Sequence, residues 1–414
     1  MFREMIPLAN QLSTYQKNDL MKDLYAAIMV SSLLVPQSMA YAILAGLPAV
    51  YGFYTAIFPL LIYGIFGASR QLSVGPVAVL SIMVFSTISV IAPIGSPLYL
   101  QLIFMTTLLV GLLQMILSVC RAGSLIRFIP PQVMSGFTIA LALTIILNQL
   151  QYIGNVPFNK ELPFLLASID LIRSINSIDL ATVLFSFFLF IIYFITRHTN
   201  SKLPATIWII VIGLLVTYLL SFDTKGLVVV GDIPNTLPPY TLPSVLVEYL
   251  PIILPLAGML ALIGYMESVA MINHLNRKKH EKIKPNQELF TLGLANTVGS
   301  CLCCLPVAGA FSRSAVNADA GAKSGLASLF TAAFLLIILL FFTKVFAYLP
   351  MAALAIIIIV AAVRLIDVNI LRGRGMSRGG YRLFGITLIS CVAFGLIEGF
   401  LTGVILAWVF REGK

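Results

Sequence analysis

The chain is 414 residues long, 59% hydrophobic and only 10% charged, with a formal net charge of +10. Soluble domains carry about 25% charged residues, so an ordinary soluble enzyme is excluded and a polytopic, all-α membrane protein is expected. In that setting the positive balance reads as topology, not as a nucleic-acid surface.

In chain order, residues 1–20 are polar and lack the apolar core of a cleaved signal, so they are expected to form a cytoplasmic N-terminal segment. Apolar runs and helix breakers then predict about fourteen membrane segments. They are 21–46, 51–66, 75–93, 98–119, 132–151, 180–197, 204–221, 249–273, 287–305, 311–322, 325–342, 345–363, 383–397 and 399–411. Segments one to seven (21–221) and eight to fourteen (249–411) form two halves around an extracytoplasmic loop, 222–248. With the N-terminus inside, alternate assignment leaves only Lys160, Arg173, Lys225 and Lys344 of the 26 lysines and arginines outside, and Arg313 within the membrane. That bias predicts a multi-pass protein of the cell's inner (plasma) membrane with both termini cytoplasmic. The basic run from Arg277 to Lys284 then reads as a solvated inner loop.

Residues 152–179 are expected to hold a short surface helix, and the Pro-rich stretch 222–247 a short strand. Cys301, Cys303 and Cys304 lie in GSCLCCLPVAG without a nearby histidine. They read as packing, so no metal and no cofactor is expected.

Two passages break the apolar pattern at matching places in the halves. RQLSVGPVAVLS (70–81) and GAFSRSAVNADAGAKS (309–324) each put a Gly- or Ser-containing stretch ahead of a short helix. Each could be a surface loop. Paired interruptions, however, are what a binding site between inverted repeats requires. A helix beginning inside the membrane leaves backbone N–H groups unpaired and carries partial positive charge, so two such ends form an anion site. Gly75 is expected to supply an unusual φ, Pro76 to sit in the first helical turn, and Ser312 to cap the second helix.

Arg313 is the strongest single signal, because an intramembrane charge needs water, a partner or a ligand. Glu267, in LAGMLALIGYMESVAMINHL, is the complementary charge. It is either a proton-coupling group, a static partner of Arg313, or a carboxylate near the inner end of its helix. In segment one, Pro36 is expected to break the helix. Gln37 and Tyr41 share a face and either contact an anion or pack against a neighbour. Asp319 is expected to be solvated.

The stretches PAVYGFYTAIFPLLIYGIFGASRQLSVGPVAVLS, GYMESVAMINHLNRKKHEKIKPNQELFTLGLANTVGS and LPVAGAFSRSAVNADAGAKSGLAS resemble the SulP/SLC26 anion transporters. The resemblance runs from about Asp19 to Phe410. It implies a UraA-like fold of seven-plus-seven inverted repeats, with a core domain (segments 1–4 and 8–11), a gate domain (5–7 and 12–14) and half-helices at segments 3 and 10. It also implies elevator-like alternating access. By the family pattern, Gln37, Tyr41, Val77, Ala78, Ser312 and Arg313 line the substrate site, and Glu267 is the proton-coupling carboxylate. Most members continue into a cytoplasmic STAS domain, whereas WVFREGK follows the last helix here, so the expectation is a transmembrane domain without STAS, either a STAS-less member or a chain cut before that domain.

The resulting expectation is a secondary transporter of small anions, a proton-coupled sulfate-type importer. The alternatives are sodium-coupled bicarbonate or proton-coupled C4-dicarboxylate transport. Outside that class stand a nucleobase permease of the same fold and an anion channel. The expected partners are the anion and the lipid bilayer, with a homodimer left open and nucleic acid excluded. No nucleophile–base pair or metal-ligand spacing suggests an enzyme.

Overall fold

The computed structural model describes residues 6–13, 15–123, 130–157, 164–199, 204–222, 226–276, 284–366, 370 and 378–412. Its first half contains α1 (Pro7–Leu12), α2 (Lys17–Leu44), α3 (Ala49–Phe66), β1 (Val74–Gly75), α4 (Ala78–Ile88), α5 (Pro97–Val119), α6 (Pro131–Gly154), α7 (Phe164–Arg173), α8 (Leu180–His198) and α9 (Ala205–Leu220). The second half contains α10 (Leu250–Asn276), α11 (Pro285–Ser300), β2 (Ala308–Gly309), α12 (Phe311–Asp319), α13 (Leu326–Phe341), α14 (Thr343–Phe346), α15 (Met351–Val363), α16 (Arg378–Phe394) and α17 (Leu396–Glu412). Among the described residues, six stretches, 17–44, 49–66, 97–119, 131–154, 180–198 and 247–275, are long and apolar enough to cross a membrane.

Several expectations are corrected. The helix in span 75–93 covers only residues 78–88, and span 345–363 is interrupted before Met351. In span 287–305 the helix stops at Ser300, and a turn with Cys303 at φ 56° leads into extended chain. Among the described residues, the two short strands are the exception to an all-helical chain. Pro36 does not break its helix, since α2 runs unbroken from residue 17 to 44 with Pro36 buried inside it. The packed neighbours of a multi-helix bundle can compensate for the one backbone bond that proline removes. The basic run Arg277–Lys282 lies outside the described residues.

The helices pack as two groups. One contains α2, α3, α4, α5, α10, α11, α12 and α13, and the other α6, α8, α9, α15, α16 and α17. Within the first group, close approaches depend on glycine. A Cβ at Gly111 of α5 would lie 2.7 Å from the Gly293 carbonyl oxygen of α11, and one at Gly293 would lie 2.9 Å from the Gly111 carbonyl oxygen. A matching contact joins Gly64 of α3 to Gly325, the residue that opens α13. Small residues let helix backbones meet where lipid offers no hydrophobic drive.

The start of α13 is also held by Asp23, a carboxylate with 0% exposure. It accepts hydrogen bonds from Tyr15 Oη (2.7 Å), the backbone N–H groups of Lys323 (2.6 Å) and Ser324 (3.3 Å), and Ser324 Oγ (2.6 Å). Burial of a carboxylate is tolerated when its lone pairs are filled in this way. Its place near the polar N-terminus gave no sign of this role.

Among the described residues, the chain between α9 and α10 does not form a regular strand beyond an isolated bridge between Val229 and Pro350. Around that bridge, Val230 N–H donates to Leu349 O (2.9 Å), Gly231 N–H to Ala347 O (3.0 Å) and Met351 N–H to Val228 O (2.9 Å). Further along, Thr236 O accepts from Tyr54 Oη of α3 (2.9 Å), and Thr241 N–H donates to Cys301 O (3.0 Å). This strap therefore contacts both helix groups. The surface helix expected in 152–179 is α7.

Candidate functional site: two paired backbone crossings

β1 and β2 are antiparallel neighbours, with Val74 opposite Gly309 and Gly75 opposite Ala308. Each runs directly into a short helix, α4 of 11 residues and α12 of 9. At 1.5 Å per residue these rise about 16 and 14 Å, roughly half the hydrocarbon thickness. Extended chain buried at such a place must have its polar groups satisfied within the protein.

The first crossing is satisfied by side chains of α12. Ser73 N–H donates to Ser314 Oγ (2.9 Å), Gln71 O accepts from Asn317 Nδ2 (3.0 Å), and Pro76 O accepts from Arg313 Nη1 (3.0 Å). One buried face of a single helix thus holds the strand from residue 71 to 76. The second crossing is satisfied by longer helices. Leu305 N–H donates to Thr55 Oγ1 of α3 (2.9 Å), Val307 N–H to Asn296 Oδ1 of α11 (2.8 Å), and Gly309 N–H to Ser268 Oγ of α10 (2.8 Å). Asn296 is fixed in turn by Gln114 Oε1 at 2.9 Å.

Neither short helix has a side-chain cap. The flanking residues are Val77 and Ala310, both extended. The backbone N–H groups of Ala78, Val79 and Leu80, and of Phe311, Ser312 and Arg313, have no acceptor among the described residues. The expected cap, Ser312, is instead the second residue of α12 and makes no capping bond. The strand pair fixes where the helix starts, so local capping preference does not decide it. Pro76 is likewise outside the helical turn, ahead of Val77, and contributes a carbonyl instead.

Among the described residues, Arg313 is the largest side chain buried without exposure. Beyond Pro76 O, its Nη1 donates to Gln37 Oε1 at 3.4 Å, while Nε and Nη2 have no hydrogen-bond partner. Gly75 belongs beside it for a reason other than φ, because its φ is not positive. A Cβ there would stand 3.2 Å from Arg313 Nη2, so glycine makes room for the guanidinium. Tyr41 is buried on the same helix as Gln37, and Tyr41, Glu267 and Arg313 interact electrostatically. Glu267 is half-buried well inside α10, and the guanidinium hydrogen-bonds Gln37 and Pro76 rather than this carboxylate. Val77 and Ala78 are buried at the start of α4, and Ser312 is half-buried at the start of α12. The structure therefore brings the two helix starts, Gln37, Tyr41, Arg313 and Glu267 into one region. Asp319 is exposed.

The sequence reading missed Thr55, Ser268, Asn296, Ser314 and Asn317, whose partners lie far along the chain. It also missed Glu288, which is fully buried and accepts from Tyr63 Oη at 2.9 Å. The one available signal was polarity inside apolar runs, as in GLANTVGS. Among the described residues, no group of three or more His, Cys, Asp or Glu side chains could hold a metal ion.

Comparison with known proteins supplies the family. Residues 20–382 match the model of the sulfate permease family. "Sulfate transporter 4.1, chloroplastic" of Arabidopsis thaliana is 34% identical over 99% of this chain and 61% of its own length. "Probable sulfate transporter MT1781" of Mycobacterium tuberculosis is 29% identical over 96% of the chain and 71% of its own length. The chain spans about three fifths of the plant relatives it matches. Among solved structures, the murine SLC26A9 anion transporter, in its inward-facing state, superposes with a TM-score of 0.88 at 25% identity. It covers 98% of this chain and 71% of its own. The transmembrane domain of the cyanobacterial bicarbonate transporter BicA gives 0.81 at 21% identity, covering 95% and 98%. The fold is thus that of a multi-pass helical membrane domain, its relatives are transporters rather than enzymes, and the chain belongs to the sulfate permease family.

Proposed function

We propose that the protein carries sulfate or a kindred small oxyanion across a membrane, with proton coupling. The observation that carries this reading is Arg313, wholly buried, with two N–H-bearing nitrogens unpartnered beside two helix starts whose amides lack acceptors. A buried guanidinium left this way is costly without an anion to receive it, and helix N-termini add donors and partial positive charge. The names of the plant and mycobacterial relatives support sulfate as the cargo. Glu267, half-buried near Arg313, is the coupling group, taking up a proton as the anion loads.

The transport movement proposed is elevator-like, with the group around α4 and α12 as the core and the group around α6 and α15 as the gate. Support comes from the packing, which repeats between the halves. The pairs α3–α13, α2–α13 and α8–α9 recur as α11–α5, α10–α5 and α16–α17. That exchange is what a seven-plus-seven inverted repeat of fourteen segments produces, with α4 and α12 as its half-helices. The site residues are Gln37, Tyr41, Val77, Ala78, Ser312 and Arg313. The protein sits in the plasma membrane with both termini inside.

Bicarbonate with sodium is a second reading, favoured by the likeness to BicA over nearly the whole of both chains. Uptake into proteoliposomes of labelled sulfate, bicarbonate, fumarate and uracil, under imposed proton or sodium gradients, separates these. Sulfate uptake driven by a proton gradient, and uncoupled from it by Glu267→Gln, is the expected result. Uptake of uracil alone, or sodium-driven bicarbonate uptake alone, overturns the sulfate assignment. Currents exceeding transporter turnover and insensitive to Glu267→Gln would make the protein a channel.

A further inference from the structure

A cavity of about 360 Å³ lies where the two helix groups meet. α4 and Ile252 of α10 form one wall, and α6, α7, α16 and α17 the other. Its rim is apolar and open, with Val90 and Phe394 each 73% exposed. Phe164 and Ala167 reach it from α7, whose remaining face exposes Leu165, Leu166, Ile169 and Ile172 and whose last turn carries Arg173. A short helix with an exposed apolar face and a basic end suits the headgroup boundary of a bilayer. The cavity therefore opens towards lipid.

Its interior is not purely apolar. The Asn148 side chain faces it at 7% exposure, and its amide has no hydrogen-bond partner among the described residues. The amide opens onto the cavity, where a polar group of an occupant can hydrogen-bond it. The Glu398 carboxylate also lines the cavity, at the first turn of α17. A carboxylate repels the anionic cargo and attracts an ammonium group. The occupant must accordingly combine an apolar chain, a hydrogen-bonding group for Asn148 and a positive headgroup for Glu398.

We propose that this seam is a binding site for a phospholipid with a primary-ammonium headgroup, its acyl chain entering between Val90 and Phe394. The lipid touches both helix groups, so it bears on any sliding between them. That consequence rests on the transport reading above, whereas the binding itself does not.

The test is native mass spectrometry of the purified protein after graded delipidation in the presence of phosphatidylethanolamine, phosphatidylcholine or phosphatidylglycerol. The wild type is expected to retain phosphatidylethanolamine most and phosphatidylglycerol least. Glu398→Gln is expected to remove the headgroup preference, and Asn148→Leu to lower retention of all three several-fold, with both variants monodisperse. Equal retention of the three lipids by the wild type overturns the proposal. So does retention unchanged in both variants, or displacement of the lipid by millimolar sulfate, which would make the cavity an anion vestibule. None of these readouts depends on transport, so a failed uptake assay leaves the lipid site standing or falling on its own.

Discussion

The two crossings solve one problem in different ways. The strand ahead of α4 is held by Arg313, Ser314 and Asn317, all on α12. The strand ahead of α12 is held by Thr55, Ser268 and Asn296, one from each of three longer helices. The second crossing is therefore fixed by three uncharged side chains spread over the scaffold, although Ser268 neighbours Glu267 on α10. The first is fixed by the same short helix that presents the guanidinium. Holding the backbone and presenting charge are separable functions in one half and a single function in the other.

That contrast can be broken or sharpened by substitution. Arg313→Ala should weaken anion binding roughly 10- to 100-fold, the worth of a charge-assisted hydrogen bond of about 1.5–3 kcal/mol. The protein should remain monodisperse in size-exclusion chromatography, and unchanged sulfate binding in detergent by calorimetry would remove Arg313 from the site. Ser314→Ala leaves the Ser73 N–H buried and unpaired, at about 1–3 kcal/mol of stability. It should also lower anion affinity roughly fivefold, about 1 kcal/mol, because it loosens the strand that Arg313 leans on. Thr55→Val strands the Leu305 N–H at a similar cost of about 1–3 kcal/mol. Here the thermal melt should fall while anion affinity stays the same. If Thr55→Val and Ser314→Ala move affinity equally, the asymmetry between the crossings is wrong. The smallest effect is expected from Gly75→Ala, whose methyl would press on Arg313 Nη2. Affinity should drop about two- to threefold, a few tenths of a kcal/mol, with no change in melting.

Much of this was legible in the residues. Gly and Pro among small side chains located both crossings, and an arginine in an apolar context marked the charge. What the sequence could not show was how those residues are used. Ser312 has the chemistry of a cap, but the register of β1 against β2 starts α12 one residue after Ala310. Gly75 suggests backbone freedom, whereas the space it leaves is filled by a side chain more than two hundred positions away. Pro36 suggests a break, yet tertiary packing carries α2 straight through it. Thr55, Ser268 and Asn296 are ordinary polar residues in helices until the extended chain from Leu305 to Gly309 is laid beside them. Local pattern marks where regular structure fails. Long-range contacts decide what repairs it.

The strap between α9 and α10 has a mechanical meaning. The chain passes between the helix groups in three places: residues 120–130, the strap, and the short connection 342–350. The last two are laced by Val230, Gly231 and Met351 through backbone bonds to Leu349, Ala347 and Val228. They are thus one ligament of two cords, not two independent linkers. A displacement of one helix group pulls both cords together, so on that face the groups behave as though hinged at a seam.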